Sequence, residues 1–200
     1  MDNKRNPILQ MMFFSHIFGL FLKGAYMKDS TAKTAYDTKS NVKKIKNFEN
    51  INESSEVTSK MNQILADEFA VFTKTLNYHW NVTGPRFMTI HQFLGKQYHE
   101  LLGIMDELAE RIRIVGDRPM GTLAEFSRQI TVPEKPGTIP NTSQMMADLL
   151  QDHLTIREEL IELITKNPES SMDPGTEDLL INVLKTHEEM AWILSSHLEH

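Results

Sequence analysis

Hydrophobic positions recur every three or four residues from about Val57 to the end of the chain. This spacing places apolar side chains on one face of an α-helix and polar side chains on the other. Prolines disrupt helix interiors because they lack the backbone N–H, and here they separate four long proline-free windows. The pattern predicts helices over about 57–82 and 89–116, a third from about residue 141 and a fourth from about residue 173.

The first two windows show the most informative apolar stripes. In the first, one face is predicted from Leu65, Phe69, Phe72 and Leu76, with His79 continuing it. In the second, the apolar residues are alternately four and three positions apart: Leu94, Tyr98, Leu101, Met105, Leu108, Ile112 and Val115. Both patterns indicate helices that bury one face against neighbouring helices.

The connections between the windows indicate how the helices are arranged. Short loops join the first helix to the second and the third to the fourth, which predicts two antiparallel hairpins. A long connection over about 117–140 joins the hairpins, and Thr122 and Glu125 within it have the spacing of a capping box, which predicts one short helix. A long crossover between two helix hairpins is typical of the ferritin-like four-helix bundle. The sequence therefore predicts an all-α fold of this type, with a short helix between helices 2 and 3.

Composition and charge narrow the chemistry. The chain contains no cysteine, which excludes disulfides, zinc–thiolate sites, thiol nucleophiles and iron–sulfur clusters. The net charge is −6, but residues 1–60 hold ten Lys/Arg and six Asp/Glu, a balance of +4, which leaves −10 for the remainder. A basic arm on an acidic body argues against a protein whose whole surface binds nucleic acid.

Residues 1–56 are predicted to be an N-terminal extension and residues 57–200 a single ferritin-like domain. Within the extension, two basic residues precede an apolar run over residues 8–22, which is too short to span a bilayer. Three interpretations of this run remain open: a targeting segment, a translation start that lies at Met27, or a genuine extension. We expect a cytoplasmic protein without stable membrane association.

Residues 27–56 are polar and without hydrophobic periodicity, which predicts a flexible tail. Six lysines give most of this segment a positive charge: Lys28, Lys33, Lys39, Lys43, Lys44 and Lys46. Such a tail is compatible with a solubilising role or with non-specific electrostatic binding to DNA phosphates. In the second case the protein would associate with the nucleoid.

Candidate metal ligands flank the first predicted loop and follow it on helix 2. His79 lies near the end of helix 1 and His91 near the start of helix 2, so a short loop can bring the two imidazoles together. Imidazole is a good ligand for iron and zinc. Asp106 and Glu110 are four residues apart on helix 2 and therefore share one face. Two adjacent carboxylates suit a hard or borderline cation.

The two pairs cannot meet on one ion within one chain. Fifteen residues separate His91 from Asp106, and they span roughly 22 Å of helix, whereas metal–ligand bonds are about 2 Å long. Two copies of helix 2 lying antiparallel about a two-fold axis would bring the histidines of one chain to the acids of the other and create two identical sites. The alternative is a solvated acidic face that pairs with Arg111 and Arg113 or with another subunit, beside histidines that are merely hydrogen-bonded structural residues.

Three stretches of the body carry a specific combination of motifs. The run LNYHWNVTGPRFMTIHQFLGKQY contains a His-Trp pair, His79-Trp80, followed twelve residues later by His91. The stretch MDELAERI contains Asp106 and Glu110 in a D-E-x-A-E-R pattern, and the chain ends on HEEMAWILSSHLEH. Together these motifs resemble the Dps family, the ferritin-like DNA-protection proteins of starved cells, over about residues 57–199.

The resemblance implies a hollow homododecamer whose ferroxidase sites lie at two-fold interfaces. His79 and His91 of one subunit would face Asp106 and Glu110 of its neighbour, so these four residues are the predicted metal ligands and catalytic residues. The implied activity is oxidation of Fe(II), usually with hydrogen peroxide and otherwise with oxygen, followed by storage of ferric mineral inside the shell. Iron is thus the expected metal, and protection of DNA from oxidative damage is the expected role.

The sequence departs from the family pattern at Gly95, where many members carry an acid that is thought to assist a second iron or a bridging water. His99, one turn further along, is a candidate substitute or a plain surface residue, and Trp80 is a candidate electron donor or a packing residue. Three acids near the start of the last helix are expected either to line three-fold pores, as in the family, or to cap the helix: Asp173, Glu177 and Asp178.

Two other histidines, His153 and His187, lie within the apolar stripes of helices 3 and 4 and are predicted to be core or interface residues rather than ligands. Two other functions also remain open. One is a mainly non-specific DNA-binding, nucleoid-compacting protein that uses the Lys-rich tail. The other is an assembly whose interface site holds zinc structurally and catalyses no oxidation.

Overall fold

The computed structural model describes residues 55–165 and 172–198. The predicted extension and Lys-rich tail therefore lie outside the described residues, apart from the last two positions of the tail. The described elements, in chain order, are α1 (Ser55–Asn81), α2 (Phe87–Ile114), α3 (Leu123–Phe126), α4 (Thr142–Thr165) and α5 (Pro174–Leu198). All of these elements are helices, so the predicted all-α fold class is confirmed, and the long helices begin within about two residues of their predicted starts.

The four long helices form a bundle of two hairpins. Helix α1 packs along α2 and α4 packs along α5, while α1 contacts α4 and α2 contacts α5 across the bundle. Helices α1 and α4 are antiparallel, because Lys74 Nζ lies 2.6 Å from Asp152 and Tyr78 Oη, one turn further on α1, lies 3.0 Å from Asp148, one turn earlier on α4. The predicted ferritin-like arrangement is therefore the arrangement observed.

The core runs along the bundle axis and is filled by apolar residues from all four long helices. Each fully buried large apolar side chain contributes about 1.5–3 kcal/mol relative to leaving it exposed. The largest of these side chains are Met61, Ile64, Ile90, Leu94, Leu101, Leu108, Ile112, Met145, Met146, Leu149, Ile156 and Leu160. This continuous core holds the ends of α1 and α2 in a fixed relation to each other.

The long crossover is anchored by the short helix α3. The predicted capping box is present, because the Thr122 hydroxyl accepts from the Glu125 backbone N–H and the Glu125 carboxylate accepts from the Thr122 backbone N–H. The ring of Phe126 stacks on Phe69 of α1 with centroids 4.6 Å apart. No helix within the described ranges is long and apolar enough to cross a membrane.

Candidate metal centre

The turn between α1 and α2 brings His79 and His91 together. Gly84 adopts a φ of +106° in this turn, a backbone conformation that residues with a Cβ rarely adopt. The two imidazole rings stack with centroids 3.7 Å apart and an angle of 18° between their planes. The sequence-based expectation that a short loop would bring these two residues close is therefore met.

Each of the two histidines is held by the backbone of the other. The Nδ1 of His79 lies 2.7 Å from the His91 carbonyl oxygen, and the Nδ1 of His91 lies 2.8 Å from the His79 carbonyl oxygen. Because a carbonyl oxygen only accepts, each Nδ1 donates, and in the neutral ring each Nε2 then keeps a free lone pair. Metal-binding histidines are commonly oriented in this way, by a hydrogen bond from the nitrogen that does not bind the metal.

Aromatic residues support the histidine pair from both sides. The ring of Phe87 stacks on His91 with centroids 5.0 Å apart, and Tyr98 meets His79 edge-on at 5.2 Å. Phe87 was not predicted to be part of the site, although its position four residues before His91 on one helix was a usable signal. Tyr98 was predicted only as a member of the apolar stripe of the second helix.

Gly95 lies directly against the histidine pair, which gives a physical reason for its departure from the family pattern. A Cβ placed on Gly95 would lie 3.3 Å from Cε1 and 3.6 Å from Nδ1 of His79. The first distance is shorter than an ordinary carbon–carbon contact. Any other side chain at position 95 would therefore require the His79 ring to move by a few tenths of an ångström.

Asp106 and Glu110 are exposed on α2 and lie far from the histidines of the same chain. The helix between His91 and Asp106 is continuous, so the length estimate of roughly 22 Å holds. Within residues 55–165 and 172–198, no three His, Asp or Glu side chains are grouped closely enough to hold a metal ion. The four predicted site residues therefore do not converge within one chain and lie in two separate pairs.

The two arginines that could have paired with these acids bind elsewhere. Arg111 forms an ion pair with Asp173 at the start of α5 and donates to Thr176 Oγ1 at 2.9 Å. Arg113 donates to the Asp117 carbonyl oxygen at 2.8 Å. Among the described residues, Asp106 and Glu110 make no ion pair, so the solvated face paired with arginines is not the arrangement observed.

His99 is poorly placed to replace the missing acid at position 95. Its Nδ1 lies 2.6 Å from the Gly95 carbonyl oxygen, and its ring stacks on Tyr98 with centroids 4.2 Å apart. It lies eight residues beyond His91, or about 12 Å along the helix, which is too far for a shared ion within one chain. The interpretation as a surface histidine agrees better with its exposed position.

At the start of α5, Asp173 acts as a helix cap. Its Oδ2 accepts from the backbone N–H groups of Gly175 and Thr176 at 3.0 and 3.1 Å, in addition to the ion pair with Arg111. This matches the capping interpretation for Asp173. Glu177 and Asp178 are exposed on the first turns of α5, and their role as pore residues stays a prediction.

Trp80, next to His79, is 67% exposed in the single chain. A large aromatic side chain in this environment is not packed within its own chain, so the packing interpretation does not apply to the isolated subunit.

Comparison with known proteins agrees with the fold. Residues 58–200 match the ferritin-like domain of the Ferritin family. A low temperature-induced protein of Nostoc sp. is 36% identical over 143 residues, which cover 72% of this chain and 80% of that protein. DNA protection during starvation protein 2 of Bacillus anthracis is 31% identical over 146 residues, which cover 72% of this chain and 98% of that protein.

Solved structures give the same result. Dps from Staphylococcus aureus superposes with a TM-score of 0.69 at 32% identity, covering 74% of this chain and 99% of that chain. DpsC from Streptomyces coelicolor superposes with a TM-score of 0.69 at 31% identity, covering 72% of this chain and 84% of that chain. The chain described here therefore belongs to the Dps family of ferritin-like proteins.

Proposed function

We propose that this protein oxidises Fe(II) at sites shared between two subunits and stores the ferric product inside a hollow homododecamer. The observation that carries the proposal is the division of the ligands into two half-sites. The histidine pair is fixed with a free lone pair on each Nε2, while the exposed acids on α2 have no partner among the described residues and lie out of reach within the chain.

A two-fold axis would combine the half-sites without any change within the subunit. In an antiparallel pair of α2 helices, His91 of one copy is level with Asp106 and Glu110 of the other. The rotation from His91 to Asp106 is 15 × 100°, or about 60° after whole turns, so both face nearly the same side of α2. The exposure of both acids in the single chain agrees with a face that is reserved for a second copy.

The ligand set suits the chemistry. Imidazole and carboxylate together bind Fe(II), and the two carboxylates offset the additional positive charge when the iron becomes Fe(III). Hydrogen peroxide accepts two electrons and two protons and yields two water molecules, so it consumes one electron from each of two Fe(II) ions. Paired oxidation avoids the one-electron step that releases a hydroxyl radical. The protein positions the ions and compensates charge.

The relatives support the wider role. Several carry the name DNA protection during starvation protein, and one neighbouring structure is described as a member of the ferritin-like diiron-carboxylate proteins. We infer that removing free Fe(II) and peroxide together protects DNA in the cytoplasm. Direct DNA binding through the Lys-rich tail would be an additional property, since that segment lies outside the described residues.

A mixed-assembly experiment tests whether each site needs two chains. One variant loses both histidines, His79→Ala with His91→Ala, and the other loses both acids, Asp106→Ala with Glu110→Ala. Each alone should lack the fast phase of Fe(II) oxidation by peroxide. After dissociation and co-assembly, half of randomly formed pairs are mixed and each mixed pair holds one intact site of two, so roughly one quarter of the unmodified rate should return.

Two controls accompany the mixture. Glu107→Ala removes an exposed acid from another side of α2 and should retain the full fast phase. The two defective variants, mixed without dissociation, should remain inactive. If co-assembly restores no activity although mixed particles form, or if either defective variant retains the fast phase, the shared site is wrong.

A further inference from the structure

The interior of the bundle contains a chain of ionisable residues that the proposed iron site does not use. Glu68 of α1, His187 of α5 and His153 of α4 are all 0% exposed. His187 Nε2 lies 2.7 Å from Glu68 Oε1, and His187 Nδ1 lies 3.0 Å from His153 Nδ1. The three side chains therefore form one hydrogen-bonded chain that links three helices through the core.

The chain is linear, which makes it unsuited to hold a metal ion. His187 lies between its two partners and uses a different ring nitrogen for each. Ligands of one ion must instead converge on a common point about 2 Å from each donor atom. None of the described residues forms such a converging group of three.

The hydrogen bonds have three self-consistent arrangements. In the first, Glu68 is ionised, His187 Nε2–H donates to it, and His153 Nδ1–H donates to His187 Nδ1. In the second, Glu68 is protonated and donates to His187 Nε2, His187 Nδ1–H donates to His153 Nδ1, and the proton of His153 is on Nε2. The third differs from the second only in that the proton between Glu68 and His187 lies on His187 Nε2, which makes an ion pair of the two side chains. A proton added at His153 Nε2 in the first arrangement converts it to the second when each hydrogen bond passes its proton along.

The balance of charge limits the chain to one added proton. The first arrangement carries one negative charge, and the other two are neutral overall. A second proton would leave a net positive charge in the core, and the atoms at the two ends offer no compensation. Glu68 Oε2 and His153 Nε2 are buried and have no hydrogen-bond partner among the described residues. An uncompensated buried charge costs several kcal/mol.

The groups around the chain do not supply a compensating negative charge. Lys74 of α1 contributes a positive charge, but it is paired with Asp152 of α4 at 2.6 Å. On α2, the uncharged Gln97 is 2% exposed and lines the same cleft as Thr186, the neighbour of His187 on α5. The charged residues that line this cleft are exposed to solvent: Lys96, Glu100 and Glu189. The buried groups near an added proton are therefore the Lys74–Asp152 ion pair, which has no net charge, and the uncharged amide of Gln97.

We propose that Glu68, His187 and His153 form a buried proton relay that makes the stability of the bundle sensitive to mild acid. The folded core accommodates one added proton and excludes the next, whereas both histidines are free to bind protons once the chain unfolds. Acidification therefore favours the unfolded chain. The relay stands apart from the iron site and does not depend on the proposed function.

The direction of the effect follows from His153. Burial, followed by the effect of His187, holds the pKa of His153 well below its usual value of 6.5. A group with a lowered pKa in the folded state contributes stability above its unfolded pKa and loses it as pH falls. Burial raises the pKa of Asp152 to about 6, which acts in the opposite direction, so only a comparison of variants isolates the relay.

Urea unfolding of the full chain between pH 5 and pH 7.5 tests the proposal. The unmodified protein should take up about one proton or more per chain on unfolding near pH 5.5. Each proton taken up increases the equilibrium constant for unfolding tenfold for every unit by which the pH falls. His153→Gln keeps a polar side chain that cannot titrate, and it should lower this uptake by about one proton. His197→Gln, a half-buried histidine outside the relay, should leave the uptake unchanged.

A spectroscopic measurement keeps the proposal testable if His153→Gln does not fold. Solid-state ¹⁵N NMR of the histidine-labelled, unmodified protein should show one histidine ring that stays neutral at pH 5.5. That ring should be assigned to His153, which is neutral in all three arrangements, by its contact with the His187 ring. An unchanged proton uptake in a folded His153→Gln protein, or doubly protonated rings for both core histidines at pH 6, overturns the relay.

Discussion

Replacing Gly95 with alanine should separate the stability of the subunit from the affinity of its metal site. An added Cβ would lie 3.3 Å from Cε1 of His79, so the ring must move by about 0.3 Å to restore an ordinary carbon–carbon contact. The hydrogen bond from His79 Nδ1 to the His91 carbonyl, now 2.7 Å, can absorb such a move without breaking. The position of Nε2, however, shifts with the ring.

Alanine at position 95 should change the stability of the subunit and the affinity of the metal site in opposite directions. Alanine is more favourable than glycine within a helix by about 0.5–1 kcal/mol, and the shifted ring offsets only a few tenths, so unfolding should require slightly more urea. Metal–nitrogen bonds tolerate errors of about 0.2 Å. Disturbance of a residue that orients a ligand typically costs tenfold or more in affinity, or about 1.4 kcal/mol. We expect a tenfold weaker site in a more stable protein.

Calorimetric titration with Co(II), which binds similar ligands without being oxidised, measures the affinity, and urea denaturation measures the stability. Gly103→Ala is the matched control, since a Cβ there meets nothing within 4 Å. It should give the same gain in stability and an unchanged affinity for Co(II). Unchanged affinity in Gly95→Ala, or a loss of stability above about 1 kcal/mol, would refute the close packing of His79 on α2.

Three further predictions concern other parts of the molecule. Arg111→Met should lower the free energy of unfolding by about 1–3 kcal/mol, measured by urea denaturation, because it removes the ion pair to Asp173 and the hydrogen bond to Thr176; a change below about 0.5 kcal/mol would contradict this. Thr122→Ala should cost about 1 kcal/mol in the same assay through loss of the capping box. Deletion of residues 1–50 should abolish retardation of DNA in a gel and spare Fe(II) oxidation, and unchanged retardation would reject the Lys-rich tail as the DNA contact.

The sequence was sufficient for features with local causes. Helix positions follow from hydrophobic period and proline breaks, and the contact between His79 and His91 follows from a short loop. The buried face of the first helix is rotated relative to the predicted face, since Phe69 and Phe72 are only half-buried whereas Glu68 is fully buried. Phe69 packs instead under the crossover helix, a contact between distant parts of the chain that periodicity cannot reveal.

Residues whose role depends on contacts between distant segments could not be predicted in detail. A glutamate is normally exposed, so nothing local marked Glu68 as the partner of His187, which lies on a different helix. His153 and His187 were expected in the core, and the structure places both there. The close approach of the His79 ring to Gly95 also could not be predicted, because residue spacing along α2 carries no information about the position of a ring on α1.

The mutual hydrogen bonds of His79 and His91 depend only on backbone acceptors. Ring orientation in this pair therefore depends on the path of the main chain at the turn, in addition to the packing of Phe87, Tyr98 and Gly95 against the rings. Substitutions throughout the rest of the bundle leave both acceptors in place, whereas lengthening the turn by one residue would misalign both rings at once. This pair is therefore sensitive to the length of a surface turn, and less sensitive to substitutions outside its immediate contacts.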